Sequence, residues 1–502
     1  KNLRMVLTSL GRRVFGSLLA LPLLWYIGYF DWWWMAMAQQ LLVTVTILIT
    51  LAVCLSPRWP DPSMDPVSAI IMNKEKLLPP GSITHLTIVF YFDDCPEIEK
   101  VMEEAKALLE YDRFCSVHVP NSDAIFESSW RRVPVLYEKH FEERKVAGND
   151  EFENVLDDLA LRPFKMPVDT PLWKMDILKN CEGQSAIVWR LCHSIGDGIG
   201  LVPVGYKFAR TLDGKPGKPS VFQPKRGGRK NGQNGVGSLI KTVKSVLKDI
   251  KTIVSLANGP FDNCPSINMN HTRKTLAHNG KRARVGMDFK LDDVKVIKQA
   301  TGYTINDIVV ALFAGAVRRY MQKMGDEALK NPEKLKMTGL APFAQSRPYL
   351  PGKVQNKMVF VHFTFPLRFE SLSERLKHAH DEFDHLKRSV QVPLLNFVTD
   401  VGTKLGLESA LSAENTKIWH RTSWIFSNVP GPRERHVLFG KELAGIKPFY
   451  CNVIHQAIFF SYAGDFSLAL VVDTDSIKEP KLLVKCFQEE MQAAQKIARD
   501  MH

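Results

Sequence analysis

At 502 residues the chain has room for two or three separate cores, because single hydrophobic cores stop growing near roughly 250–300 residues, and a small disulfide-stapled module is excluded. Its eight cysteines (54, 95, 115, 181, 192, 264, 451 and 486) are scattered, with no C-x-x-C pair and no Cys/His group at zinc spacing, so a reducing compartment is expected and a metal site is not. A formal net charge of +13 draws anionic partners, with membrane surface, phosphorylated substrate and nucleic acid all admissible on charge alone.

Two apolar runs open the chain, Val14 to Phe30 and Met35 to Leu55, separated by Asp31 and three tryptophans. Each is close to the ~20 residues that cross about 30 Å of hydrocarbon, and Tyr26, Tyr29 and the tryptophans suit an interfacial belt at the turn. Lys1, Arg4, Arg12 and Arg13 precede the first run and Arg58, Lys74 and Lys76 follow the second. Basic residues at both ends fit a chain that enters and returns, so residues 1–60 are expected to form a membrane anchor built as a helical hairpin. A single signal anchor is the alternative; a cleavable signal peptide is disfavoured, since no small-residue cleavage pattern separates the runs.

Residues 61–212 alternate strand-like and helix-like segments. "THLTIVFYF" (Thr84 to Phe92) predicts a strand, "PEIEKVMEEAKALLEY" (Pro96 to Tyr111) an amphipathic helix, and the apolar run Ala186 to Cys192 a buried strand. Residues 213–282 break this pattern. Asp213 to Gly237 is rich in Gly, Pro, Lys and Arg and predicts a disordered linker, while Ser238 to Ala257 predicts a basic amphipathic helix that either bridges the protein or docks on a membrane surface. Nucleic acid ranks below both, because no recognition motif and no interleaved aromatics accompany the charge.

Residues 283–502 return to α/β character. A strand is expected from Ala283, helices over Asp292 to Ala300 and Thr304 to Met321, with Thr304 or Asn306 capping the latter, and strands within Lys357 to Leu367, Thr422 to Gly431, Ala457 to Gly464 and Phe466 to Thr474. A last helix is expected over Lys481 to Ala498. Two halves of similar size joined by a linker direct the search for a site to their interface.

The stretch "CHSIGDG" (Cys192 to Gly198) places a histidine where an apolar strand ends, with an aspartate four residues on. Gly196 and Gly198 permit a tight reversal. A neutral imidazole, with an ordinary pKa near ~6.5, can take a proton from a hydroxyl, whereas no G-x-S-x-G nucleophile elbow is present. Direct attack by a substrate hydroxyl is therefore the simpler mechanism; a structural histidine is the bland alternative.

This motif resembles the HHxxxDG signature of chloramphenicol acetyltransferase-like acyltransferases and condensation domains. Three further blocks are similar to the wax ester synthase/diacylglycerol acyltransferase branch: "RPFKMPVDTPLWKMDIL" (Arg162 to Leu178), "TINDIVVALFAGAVRRY" (Thr304 to Tyr320) and "SNVPGP" (Ser427 to Pro432). The resemblance implies two chloramphenicol acetyltransferase-like α/β domains with mixed sheets around a central channel, and a membrane-anchored O-acyltransferase that uses acyl-CoA as co-substrate, without a cofactor. The acceptor would be a long-chain alcohol or diacylglycerol, giving wax ester or triacylglycerol.

On the same resemblance His193 would be the catalytic base, Asp197 would hold the loop's shape, and Asn306 would donate to the oxyanion or merely cap its helix. Gly198, Trp173, Ser427 and Asn428 would lie at the substrate channel, although Trp173 equally suits the core and Asn428 a turn with Pro430 and Gly431. The family's first histidine is Cys192 here. If strand alternation continues through the motif, a channel-facing His193 puts Cys192 toward the core, where a small apolar thiol is comfortable. A catalytically silent lipid-binding scaffold, or an enzyme for another hydroxyl or amine acceptor, are the competing readings. Access to acyl-CoA implies an endoplasmic reticulum membrane location with the catalytic region facing the cytosol.

Overall fold

The computed structural model describes residues 65, 67–71, 85–120, 128–162, 166–167, 169–217, 249, 262–268, 282–344, 352–404, 408–452 and 454–501. The expected hairpin, most of the linker and the amphipathic helix apart from Asp249 lie outside these residues. The first half supplies β1 (His85–Phe92), the ribbon β2 (Ser116–Pro120) and β3 (Ser128–Arg132), then β4 (Phe141–Val146), β5 (Trp173–Asn180), β6 (Ser185–Cys192) and β7 (Ala209–Thr211). The second supplies β8 (Arg282–Lys290), β9 (Thr338–Ala344), β10 (Met358–Thr364), β11 (Trp424–Pro430), β12 (His436–Leu438), β13 (Lys441–Glu442), β14 (Gly445–Tyr450), β15 (His455–Tyr462) and β16 (Asp465–Asp473).

These strands form two main mixed sheets. One runs β14-β1-β6-β5-β4 and the other β10-β9-β11-β15-β16-β8. The first sheet therefore takes its edge strand from the second half of the sequence: β14 pairs antiparallel with β1, Leu86 opposite Tyr450. A smaller sheet repeats the exchange, β12 pairing with β7. Residues 61–212 and 283–502, expected as separate halves, are interlocked through shared sheets. Pairing across such sequence separation closes long loops, and it delivers residues of the second half to the end of β6.

Local sequence explains why β6 is central. All eight of its residues are buried, and Arg190, the one charge, is accommodated by a 2.6 Å ion pair to the fully buried Asp176 on β5. In β10 the alternation is explicit: Val359, Val361 and Phe363 enter the helix-covered core of the second half, while Phe360 turns to the opposite face and meets Trp419. That core is covered by the helices Ile305–Lys323, Leu372–Arg388 and Pro480–Asp500.

Some expectations need correction. The helix expected over Pro96 to Tyr111 is α-helical only over Ile98–Ala105 and tightens to 3₁₀ over Lys106–Glu110, which lets the fully buried Leu108 and Phe114 join one core. The helices Asn149–Leu161, Leu372–Arg388, Gln391–Lys404 and Glu408–Arg421 were not among the expected elements. Among the described residues no single helix is long and apolar enough to cross a membrane. The pair Leu291–Thr301 and Ile305–Lys323 would pass together by composition but is bent by 102°, and residues Asp307 to Arg318 are buried in the protein's own core.

Candidate active site

The strand β6 stops at Cys192, and the next residues reverse in a tight turn closed by the Ile195 amide donating to the Cys192 carbonyl at 3.0 Å. His193 is the second residue of that turn and is 8 % exposed. Its ring packs on Tyr450, the last residue of the exchanged strand β14, with centroids 5.0 Å apart and planes inclined by 55°. The candidate base thus stands where the two halves meet. Because the strand ends at Cys192, simple alternation does not govern which way His193 points; the turn does. Cys192 is itself buried, with its Sγ 3.1 Å from the Ser194 hydroxyl.

Asp197 is the N-cap of the helix Gly198–Gly205. One carboxylate oxygen accepts from the Gly200 amide at 2.7 Å and the other from the Lys357 amide at 2.6 Å. A single side chain therefore caps the motif helix and fastens it to the segment leading into β10. Gly196 allows that closeness: a Cβ there would come within 2.4 Å of Val354 Cγ1. Gly198 differs, since a Cβ on it would meet open space and the residue is exposed. Gly196→Ala is expected to destabilise the fold by about 1–3 kcal/mol through overpacking, and Val354→Ala should recover part of the loss. Thermal melting of the two single mutants and the double mutant checks this, additive losses being the result that rules it out.

Four residues beneath the loop were missed by reading the sequence. Arg113 Nη1 donates to the carbonyls of Ser194 and Ile195 at 3.1 and 3.0 Å, and Asn356 Nδ2 donates to the His193 carbonyl at 2.7 Å. Asp65 binds Arg113 Nη2 at 2.5 Å and the Asn356 amide at 3.0 Å, and the Ser68 hydroxyl lies within 3.0 Å of both Arg113 and Asn356. Residues 65–68, 113 and 356 are too far apart in sequence for any spacing rule to link them. Only tertiary folding does.

The structure brings Asn306 and Asn428 together, the Asn428 amide donating to Asn306 Oδ1 at 2.5 Å. Asn306 is not the helix cap. Thr304 takes that role in a capping box with Asp307, which leaves Asn306 exposed at the second helical position. Asn428 lies within β11 rather than in a turn, and Ser427, half-buried, points to the opposite face. Since β9 and β11 run parallel and β10 antiparallel to β9, the C-terminal end of β11 and the start of β10 lie at one end of the sheet. The asparagine pair therefore shares that end with the Asn356–Lys357 clamp, although no described hydrogen bond joins it to His193.

Trp173 is fully buried core. Its indole donates to the Phe114 carbonyl at 3.0 Å, and its rings stack on His140 at 3.9 Å with further edge contacts to Phe114 and Phe141, so its expected place at the channel is corrected to the interior of the first half. Two histidines near the motif are held neutral: burial pushes His140 down to about 4 and His85, opposite Cys192 on β1, down to about 3, with the nearby Arg190 charge adding to the effect on His85.

The wax ester synthase/diacylglycerol acyltransferase catalytic domain matches residues 143–309, and the WS/DGAT C-terminal domain matches residues 354–495. Among curated relatives, wax ester synthase/diacylglycerol acyltransferase 4 of Arabidopsis thaliana is 24 % identical over 432 residues, covering 77 % of this chain and 82 % of the relative. O-acyltransferase WSD of Acinetobacter baylyi is 23 % identical over 347 residues, 64 % of this chain and 73 % of the relative. The solved wax ester synthase/diacylglycerol acyltransferase from Marinobacter aquaeolei VT8 superposes with a TM-score of 0.57 at 16 % identity, covering 87 % of this chain and 99 % of that one. A starter condensation domain of rhizomide synthetase shares the fold at a TM-score of 0.55 and 11 % identity, with 87 % and 94 % coverage. With the HxxxDG turn lying where the two halves interlock, and with both domains of the family matched in order, the chain belongs to the wax ester synthase/diacylglycerol acyltransferase family and is an acyltransferase.

Proposed function

We propose that this enzyme transfers a fatty acyl group from acyl-CoA to a long-chain alcohol or diacylglycerol, with His193 as general base. The observation that carries the reading is His193 at the end of β6, its ring against Tyr450 and its backbone fixed by Asn356. The acceptor oxygen attacks the thioester carbonyl as His193 takes its proton. The tetrahedral intermediate then expels the CoA thiolate, which receives that proton from the imidazolium. Asp197, both of whose carboxylate oxygens accept backbone amides, serves the shape of the loop rather than proton transfer. Asn306 is offered as an oxyanion donor: with Oδ1 held by Asn428, its amide nitrogen turns away from that bond. Gly198, with open space before it, and Ser427 are the residues proposed to border the substrate.

The deciding experiment incubates purified protein with labelled palmitoyl-CoA and a panel of fatty alcohols, diacylglycerol and sterols. Ester formed on one class names the acceptor, and CoA release with none of them points to a different hydroxyl or amine.

The enzyme is further proposed to sit on the endoplasmic reticulum membrane through residues 1–60, with its catalytic region in the cytosol. The chain contains its own reporter, the sequon Asn270-His-Thr272. Expressed in a eukaryotic cell, the protein is expected to carry no glycan at Asn270, and protease added to sealed microsomes should cut near Lys225 to Lys230. Glycosylation that disappears in Asn270→Gln, with a protected linker, would place the catalytic region in the lumen instead.

A further inference from the structure

Three consecutive carbonyls of the motif loop, those of His193, Ser194 and Ile195, accept hydrogen bonds from three side chains, the Arg113 guanidinium, the Asn356 carboxamide and the Ser68 hydroxyl, the last 2.8 Å from the Ser194 carbonyl. Arg113 is 4 % exposed and its ion-pair partner Asp65 is 8 % exposed. Besides Arg113, Asp65 accepts from the Ser68 backbone amide at 2.7 Å, the Ser68 hydroxyl at 2.9 Å and the Asn356 backbone amide at 3.0 Å. The guanidinium carbon also lies 5.3 Å from the centre of the Trp130 ring. Buried ion pairs of this kind add little net stability, because desolvation offsets their attraction; what a fully bonded one does supply is a single geometry.

We propose that Arg113, with Asp65, Ser68 and Asn356, forms a positioning device that sets the His193 imidazole through its backbone. The proposal rests on His193 being the base. Asp65, Ser68 and Arg113 all precede the residues that match the family's catalytic domain, which begin at 143. The catalytic loop is therefore completed by the chain immediately following the apolar N-terminal runs, so the segment proposed to anchor the enzyme leads directly into the support of its base.

The test uses the full chain and compares Arg113→Gln, Arg113→Lys, Ser68→Ala and His193→Ala with wild type, reading thermal stability, kcat and KM for acyl-CoA, and the pH profile of kcat/KM. Displacing a reacting group by about 1 Å can cost roughly 100-fold in rate. Arg113→Gln is expected to lose about 10- to 100-fold in kcat with KM within about threefold, and to move the limb of the pH profile attributed to His193. Arg113→Lys should recover part of the rate, and Ser68→Ala should lose less than Arg113→Gln while melting near wild type. If Arg113→Gln fails to fold, Ser68→Ala decides. Folded variants with lower melting temperature but wild-type kcat and pH profile overturn the positioning role. A fully active His193→Ala overturns the general-base reading instead, so the two failures are told apart.

Discussion

Replacing His193 by alanine is expected to lower acyl transfer by about 10²–10⁴-fold while leaving the protein folded. In the proposed mechanism the imidazole takes the acceptor's proton and returns it to the departing thiolate. Removing it leaves the Asn356 bond intact, because that bond is made to the His193 carbonyl, and it gives up the ring contact with Tyr450. Melting temperature close to wild type with turnover lost is the expected pair of results. Cys192→Ser is the informative control: the serine hydroxyl can occupy the position facing Ser194, so substantial activity should remain. A folded His193→Ala enzyme with most of its turnover, or a folded but inactive Cys192→Ser, would redirect the mechanism toward a different base or a thiol nucleophile.

Asp197→Ala is expected to damage stability and catalysis together. Loss of an N-cap side chain costs about 0.5–2 kcal/mol, and here the same change leaves the Lys357 amide without its acceptor, for roughly another 1–3 kcal/mol. The motif helix would lose its side-chain tie to the segment that carries Asn356, keeping only the longer 3.4 Å bond from the Asp197 amide to the Gln355 carbonyl, which loosens the seat of the His193 carbonyl on Asn356. A fall in kcat of about 100-fold is expected on top of the lower melting temperature. Asp197→Asn separates the two contributions, since an asparagine still caps the helix but offers only one carbonyl oxygen for two amides. It should melt between wild type and the alanine variant. An Asp197→Ala enzyme that melts like wild type would show that neither bond matters in solution.

Much of the architecture was written locally. The apolar run ending at Cys192, the alternation in β10 and the Thr304-x-x-Asp307 pattern each determine an element from neighbouring residues, and each appears where periodicity and capping chemistry require. The helix Leu372–Arg388 was not read although its signal is local: its buried apolar residues Leu372, Leu376, Ala379, Phe383 and Leu386 repeat at spacings of four and three, but abundant charge obscured the stripe. Asn306 shows where local reading becomes ambiguous. A residue beside a helix start suits a cap and a contact equally, and the Thr304 capping box together with the partner Asn428, 122 residues away, decides the matter.

By itself the sequence determined the α/β class, the motif residues His193 and Asp197, and the family, because strand and helix periods and a short ordered motif are properties of neighbours along the chain. It could not determine that β14 joins the sheet of the first half, that Trp173 faces core rather than channel, or that Asp65, Ser68, Arg113 and Asn356 converge under the turn that carries His193. Those depend on strand exchange and on buried polar groups finding partners across as many as 291 residues of chain, and such pairings have no period to read. Tertiary structure alone decided them, since a buried charge is tolerable only where the completed fold supplies it with partners.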